Sequence, residues 1–170
     1  MGRHRPLERL RVKHKQHPWC ALVASACLGL PLMSQAQAPT PPKAEPVGYV
    51  KTVTGDASVI TAGQRLSAQP GTAVMLGSQL KTAQGATMGV AFKDNTLMSF
   101  GPNTELTVEE FVYAPAQGQL LLGTRLSRGS LNYVSGVIAK LQPDAVTVKT
   151  PAGILGVRGT QFVARVEDAQ

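Results

Sequence analysis

The side chains in this chain that could do chemistry are few. Glu105, Glu109 and Glu110 form its one acidic cluster. A glycosidase needs two carboxylates facing one cleft. Glu109 and Glu110 are adjacent, so a regular strand sends them to opposite faces, while Glu105 and Glu109 share a face with no sign of a cleft. The spacing therefore reads as a solvated strand face. The other candidate is Arg158, set between Gly156 and Gly159. A guanidinium on a glycine-flanked turn can grip a carboxylate or phosphate of a ligand or partner. The same arginine can instead cap strand-end carbonyls while the glycines permit a tight turn. Val163 and Arg165, on the outward face of the strand that follows, are the residues expected to act with it in partner binding. Gly153, Gly156 and Gly159 do not form a phosphate loop, because no Lys-Ser/Thr pair and no helical pattern follow them.

The chemistry narrows further at the N-terminus. Residues 3–17 are basic, an apolar run extends from Trp19 to Met33, and Ser34-Gln35-Ala36-Gln37-Ala38 supplies small residues. Basic, apolar and small in that order is a secretory signal peptide, here residues 1–36. Cleavage is expected after Ala36, because a cut after Ala38 would leave Pro39 just beyond it. All three histidines (His4, His14, His17) and both cysteines (Cys20, Cys27) lie in this segment. The mature chain then has neither residue type, which removes the thiolate nucleophiles, the usual zinc ligands and the commonest general base. No disulfide, metal or cofactor is expected, and no enzyme. Of the 17 basic and 10 acidic residues, six and one fall in residues 1–36, leaving 11 and 9. The high pI thus belongs to the signal, and no basic stripe remains for nucleic acid. No transmembrane segment is expected after cleavage.

Residues 37–46 read as an extended proline-rich linker, and residues 47–166 as one domain. Its pattern is strands and turns, with no convincing helix. Met88, Val90 and Phe92; Leu106 and Val108; Leu131 and Tyr133; Val146 and Val148; and Phe162, Ala164 and Val166 each recur with period two, which places each set on one face of a sheet. Turns are expected at Gly55-Asp56, Pro70-Gly71, Lys93-Asp94-Asn95-Thr96, Gly101-Pro102-Asn103-Thr104 and Ala116-Gln117-Gly118. Alternation sends most aromatic rings into the core and leaves Tyr49 as the exposed one. Leu76–Leu80 resembles Leu122–Leu126, and Lys81–Gly85 resembles Lys149–Gly153. These short repeats point to an all-β, short-stranded solenoid or roll-like domain, with a β-sandwich as the alternative.

Several of these segments together resemble the FecR domain. Gly48-Tyr49-Val50 through Gly55-Asp56-Ala57 resembles its opening strands. Leu76-Gly77-Ser78-Gln79-Leu80-Lys81-Thr82 is similar to its Gly-Asp-x-Ile-x-Thr element, with Ser78 where aspartate is common. Val90–Leu97 resembles its Asp-Gly-Ser hairpin, Gly101–Leu106 its Pro-Asn-Ser-x-Leu turn, and Thr150–Gly153 with Gly156–Phe162 its closing motif. The resemblance implies a β-rich periplasmic module of the Gram-negative envelope. In the best-known members that module belongs to an inner-membrane regulator linking a siderophore receptor to a sigma factor. This chain is expected to depart from that arrangement, without a cytoplasmic anti-sigma domain, and resembles instead the stand-alone exported members. The implied role is protein binding in envelope signalling, related to sigma-factor regulation or iron uptake; the alternative is a structural or glycan-associated envelope protein. Further hairpin strands usually follow the Arg-Gly-Thr motif. Without them an edge at residues 161–166 is expected to be exposed, open to an envelope protein partner that adds a strand.

Overall fold

A computed structural model describes residues 44–157 and 159–167; the expected signal peptide, both cleavage positions and most of the linker lie outside them. The described residues belong to one compact unit, Pro41–Gln170. Twelve strands build it: β1 Gly48–Thr54, β2 Ala57–Thr61, β3 Gln64–Ser67, β4 Ala73–Val74, β5 Gln79–Thr82, β6 Thr87–Phe92, β7 Leu97–Phe100, β8 Glu105–Ala114, β9 Gln119–Val134, β10 Val146–Thr150, β11 Gly153–Gly156 and β12 Gln161–Val166. Among the described residues one α-helix, α1 Val137–Leu141, and two 3-10 turns, Pro115–Gln117 and Pro143–Ala145, join them. No helix among the described residues is long and apolar enough to cross a membrane.

The expected all-β class is found, as an antiparallel sheet curled into a half-barrel. Its spine is the 16-residue β9. The first half of β9 pairs with β8 on one edge and β10 on the other, and its second half with β7 and β12. Beyond β8 the order runs through β5 and β2 to β3; beyond β7 it runs through β6 and β1 to β4. Each of the segments β1–β2, β5–β6 and β7–β8 is thus one long path across the sheet, interrupted by a turn where the sheet bends. Among the described residues only β9 and β10 pair in parallel, so the curl comes from corners in antiparallel strands and not from stacked parallel coils.

The corners align. Gly55, Gly85, Asn103 and Gly129 have φ of +76°, +72°, +52° and +87°, one on each path across the bend. Two buried threonines stitch this seam. The Thr82 hydroxyl donates to the Gly101 carbonyl (2.6 Å) and accepts from the Thr104 amide (2.9 Å). The Thr104 hydroxyl in turn accepts from the Ser130 amide (3.0 Å). Bending the sheet here brings the inner faces of both halves together into one core. All five alternating sets read from the sequence point inward, with Val90, Phe92, Leu106, Val108, Leu131, Tyr133, Val146 and Val148 buried. Phe92 stacks on Phe111 across the bend, and Tyr133 on Phe162. Among the described residues Tyr49 is the exposed ring, as expected.

Two local features differ from the expected pattern. Helix α1 is too short to show a 3.6-residue period, so nothing in the sequence marks it. A bulge between Val108 and Glu110 shifts the parity of β8. Leu106 and Val108 point inward before it; Phe111 and Tyr113 turn to the core after it.

Candidate functional site

The bulge decides the acidic cluster. It brings Glu110 to the outer face beside Glu109, whose carboxylate accepts from Arg125 Nε on β9 and from Lys149 Nζ on β10 (2.8 Å). Glu105 pairs with Lys81 (3.2 Å) and Arg128 (3.6 Å) and accepts from the Gln79 amide. Glu110 lies over Gly123 on the same face, not the opposite one. Each of Glu105 and Glu109 is therefore shared between two cations, a charge ladder across strands with no cleft between the carboxylates.

Lys149 foremost, and then Arg125, hold the Glu109 carboxyl below the usual carboxylate range. A depressed folded pKa stabilises the fold above the ordinary value, and the contribution is lost as pH falls through the depressed one. Glu109→Gln is expected to cost about 1 kcal/mol near neutral pH, since both pairs are solvent-accessible. Urea denaturation should show the gap between wild type and variant closing below about pH 4; a gap that persists at pH 3 would assign the loss to packing.

The edge at β12 is where the candidate binding residues fall. β12 pairs with β9 and, among the described residues, with no other strand. The Thr160 carbonyl accepts from the Ser135 amide (2.9 Å), which fixes the phase of the ladder. Alternation from there directs the N–H and C=O of Phe162 and Ala164 to β9, and those of Gln161, Val163 and Arg165 to the open edge. The Val163 side chain is 70% exposed and Arg165 is exposed, both outward as alternation predicts. Arg158 lies outside the described residues. Its neighbours are anchored: the Val157 amide donates to the Val146 carbonyl (3.3 Å), and the Ser135 hydroxyl donates to the Gly159 carbonyl.

Beside this edge lies a feature the sequence did not signal. The C-terminal ends of β10 and β12 meet at the bend and leave a cleft of about 420 Å³, lined by Pro151, Leu155, Ala164 and Val166, with Arg165 and Glu167 at its rim. Among the described residues strand β11 pairs with β10 alone, and its Ile154 and Leu155 are exposed. The Thr-Pro-Ala-Gly turn marks the β10–β11 corner in the sequence, but its approach to β12 is a long-range contact. Among the described residues no three His, Cys, Asp or Glu side chains gather where a metal could bind.

An open-edged strand following a strand-turn-strand motif, at the end of a curled all-β sheet, is the setting in which the family comparison becomes informative. The family model described as FecR protein matches residues 78–170. The chain belongs to the FecR family. No curated protein and no solved structure matches it. The matched span covers β5 through β12 and so includes the seam, the charge ladder and the open edge. Strands β1–β4 precede it, yet β1 pairs with β6 and β2 with β5, which makes them part of the same FecR sheet. FecR proteins are signalling regulators rather than known enzymes, which gives this chain a coarse role in envelope signalling.

Proposed function

We propose that this FecR protein is an exported periplasmic interaction module that captures an envelope protein partner by strand addition to β12, within signalling tied to sigma-factor regulation or iron uptake. The observation that carries the reading is that β12 has an edge left unpaired among the described residues, with three residues whose backbone groups face outward beside an exposed apolar cleft. Added strands gain affinity from main-chain hydrogen bonds and specificity from alternate side chains. Arg158, Val163 and Arg165 are the residues expected to supply that specificity.

The test is a photo-crosslinking residue at position 161 in the tagged protein, activated in cells, followed by mass spectrometry. One dominant protein partner is expected. Val163→Pro should abolish its capture, because proline removes an edge donor yet is tolerated on an edge strand. Arg158→Ala should weaken capture with thermal unfolding unchanged. Capture that survives Val163→Pro overturns strand addition.

A second reading, a glycan-associated envelope protein, is favoured by a groove on the outer face of β1, β6, β7 and β9, bordered by Val163 of β12. Its lining carries no charged residue and presents the side chains of Thr52, Thr87, Ser99, Ser130 and Asn132 over Gly89 and Gly101. Tyr49 stands exposed on the same face. Retention on cell-wall polysaccharide, reduced by Tyr49→Ala and untouched by Arg165→Glu, would favour this reading over the first.

A further inference from the structure

We infer that β12 selects a partner segment carrying a single carboxylate next to a large apolar residue, read antiparallel to β12 as acidic, large apolar, β-branched opposite Arg165, Ala164 and Val163. The inference rests on strand addition at this edge and specifies what is added.

Lys81, Lys93, Arg125, Arg128 and Lys149 each pair with a glutamate of the domain. Arg165, like Lys51, Arg65 and Lys140, makes no ion pair or side-chain hydrogen bond with any described residue, and of these four it alone borders the cleft beside β12. It sits on an open strand edge with its backbone groups outward, so a directly opposed residue on an added strand would share its face at about 5 Å. A carboxylate there completes the pairing that the domain leaves open, and a lysine there is opposed. Glu167, two residues on and at the same rim, disfavours a second acidic residue, so one carboxylate fits better than an acidic run.

The neighbouring positions follow from alternation. Ala164 points inward, is buried and lines the cleft. Its small side chain leaves room that Pro151, Leu155 and Val166 bound on the other sides. A leucine or phenylalanine opposite Ala164 would fill the cleft and cover Leu155, which is 42% exposed. Val163, outward, favours a β-branched neighbour across the strand pair. Antiparallel addition is chosen because it is the more stable pairing per residue.

The test uses the full exported domain and fluorescein-labelled nine-residue peptides on a threonine-rich framework. Their central triplets are Asp-Phe-Val, Asn-Phe-Val, Lys-Phe-Val and Asp-Ala-Val. Anisotropy gives affinity, and two-dimensional amide NMR reports whether Gln161, Val163 and Arg165 are engaged. The Asp-Phe-Val peptide is expected to bind about tenfold tighter than the lysine peptide at low salt, and more tightly than Asp-Ala-Val. Arg165→Glu should reverse the charge preference, and Arg165→Gln should flatten it. Equal binding of all four peptides with shifts at these amides would overturn the selectivity while leaving strand addition standing. No shift at these amides with any peptide would overturn both.

Discussion

Gly129→Ala is expected to destabilise the domain by about 3 kcal/mol or more. Gly129 is where β9 crosses the bend without interruption, at φ +87°. An added Cβ would lie 2.4 Å from Thr104 Cα and 2.3 Å from Thr104 Oγ1. Two costs combine. The left-handed backbone costs an L-residue about 1–2 kcal/mol, and the contact with backbone cannot be relieved by turning a side chain. Thr104 cannot retreat easily, because its amide and hydroxyl are both committed to the seam through Thr82 and Ser130. The control is Gly118→Ala, in the turn between β8 and β9, where φ is +67° but nothing lies within 4 Å of the new Cβ. That variant carries the backbone cost alone, about 1 kcal/mol. Urea denaturation of both separates the two contributions. Equal losses would mean that the seam yields and that Thr104 is not a fixed point of the fold.

The seam also shows where the sequence stops being legible. Two of the four corners are marked locally, and Gly55-Asp56 and Gly101-Pro102-Asn103 turn as their types predict; Gly85 and Gly129 carry no such signal. Their alignment into one line depends on the register between strands far apart in the chain, which no local pattern carries. The inward sets were readable because period two needs only a few consecutive residues. The parity change at Glu109 was not, because a bulge looks like one more polar residue in a polar stretch. The candidate edge divides the same way. Outward Val163 and Arg165 follow from alternation within β12. The cleft beside them needs β10, β11 and β12 to meet, and only the fold brings Pro151 and Leu155 to Ala164. Arg158, the residue that the motif itself draws attention to, lies outside the described residues, so its proposed role rests on its place between two anchored neighbours.

Asp94 is the clearest case of a residue whose sequence role understates its structural one, and its removal is the other large effect expected. By type it is a turn residue of the β6–β7 hairpin. In the fold it is fully buried. Its carboxylate accepts from the Thr96 amide (3.1 Å), the Thr96 hydroxyl (2.7 Å) and the Ile138 amide of α1 (3.3 Å). Its backbone carbonyl accepts from the Val137 amide (2.7 Å). Through these bonds one side chain holds its own turn and also satisfies the first amides of a helix more than forty residues away, which has no cap of its own. Gly136, just before that helix, lets the two segments touch, since a Cβ there would stand 2.4 Å from the Asp94 carbonyl oxygen.

Asp94→Ala leaves buried donors at Thr96 and Ile138 without an acceptor and is expected to cost about 3 kcal/mol. Asp94→Asn keeps the shape but turns one acceptor into a donor. The Thr96 hydroxyl can rotate to accept, whereas the Ile138 amide cannot, so a smaller loss of about 1–2 kcal/mol is expected. Denaturation of the two variants gives the order, and amide exchange at Val137 and Ile138 should accelerate in both. An Asn variant as stable as wild type, with α1 amides still protected, would show that shape and not the carboxylate holds the helix in place.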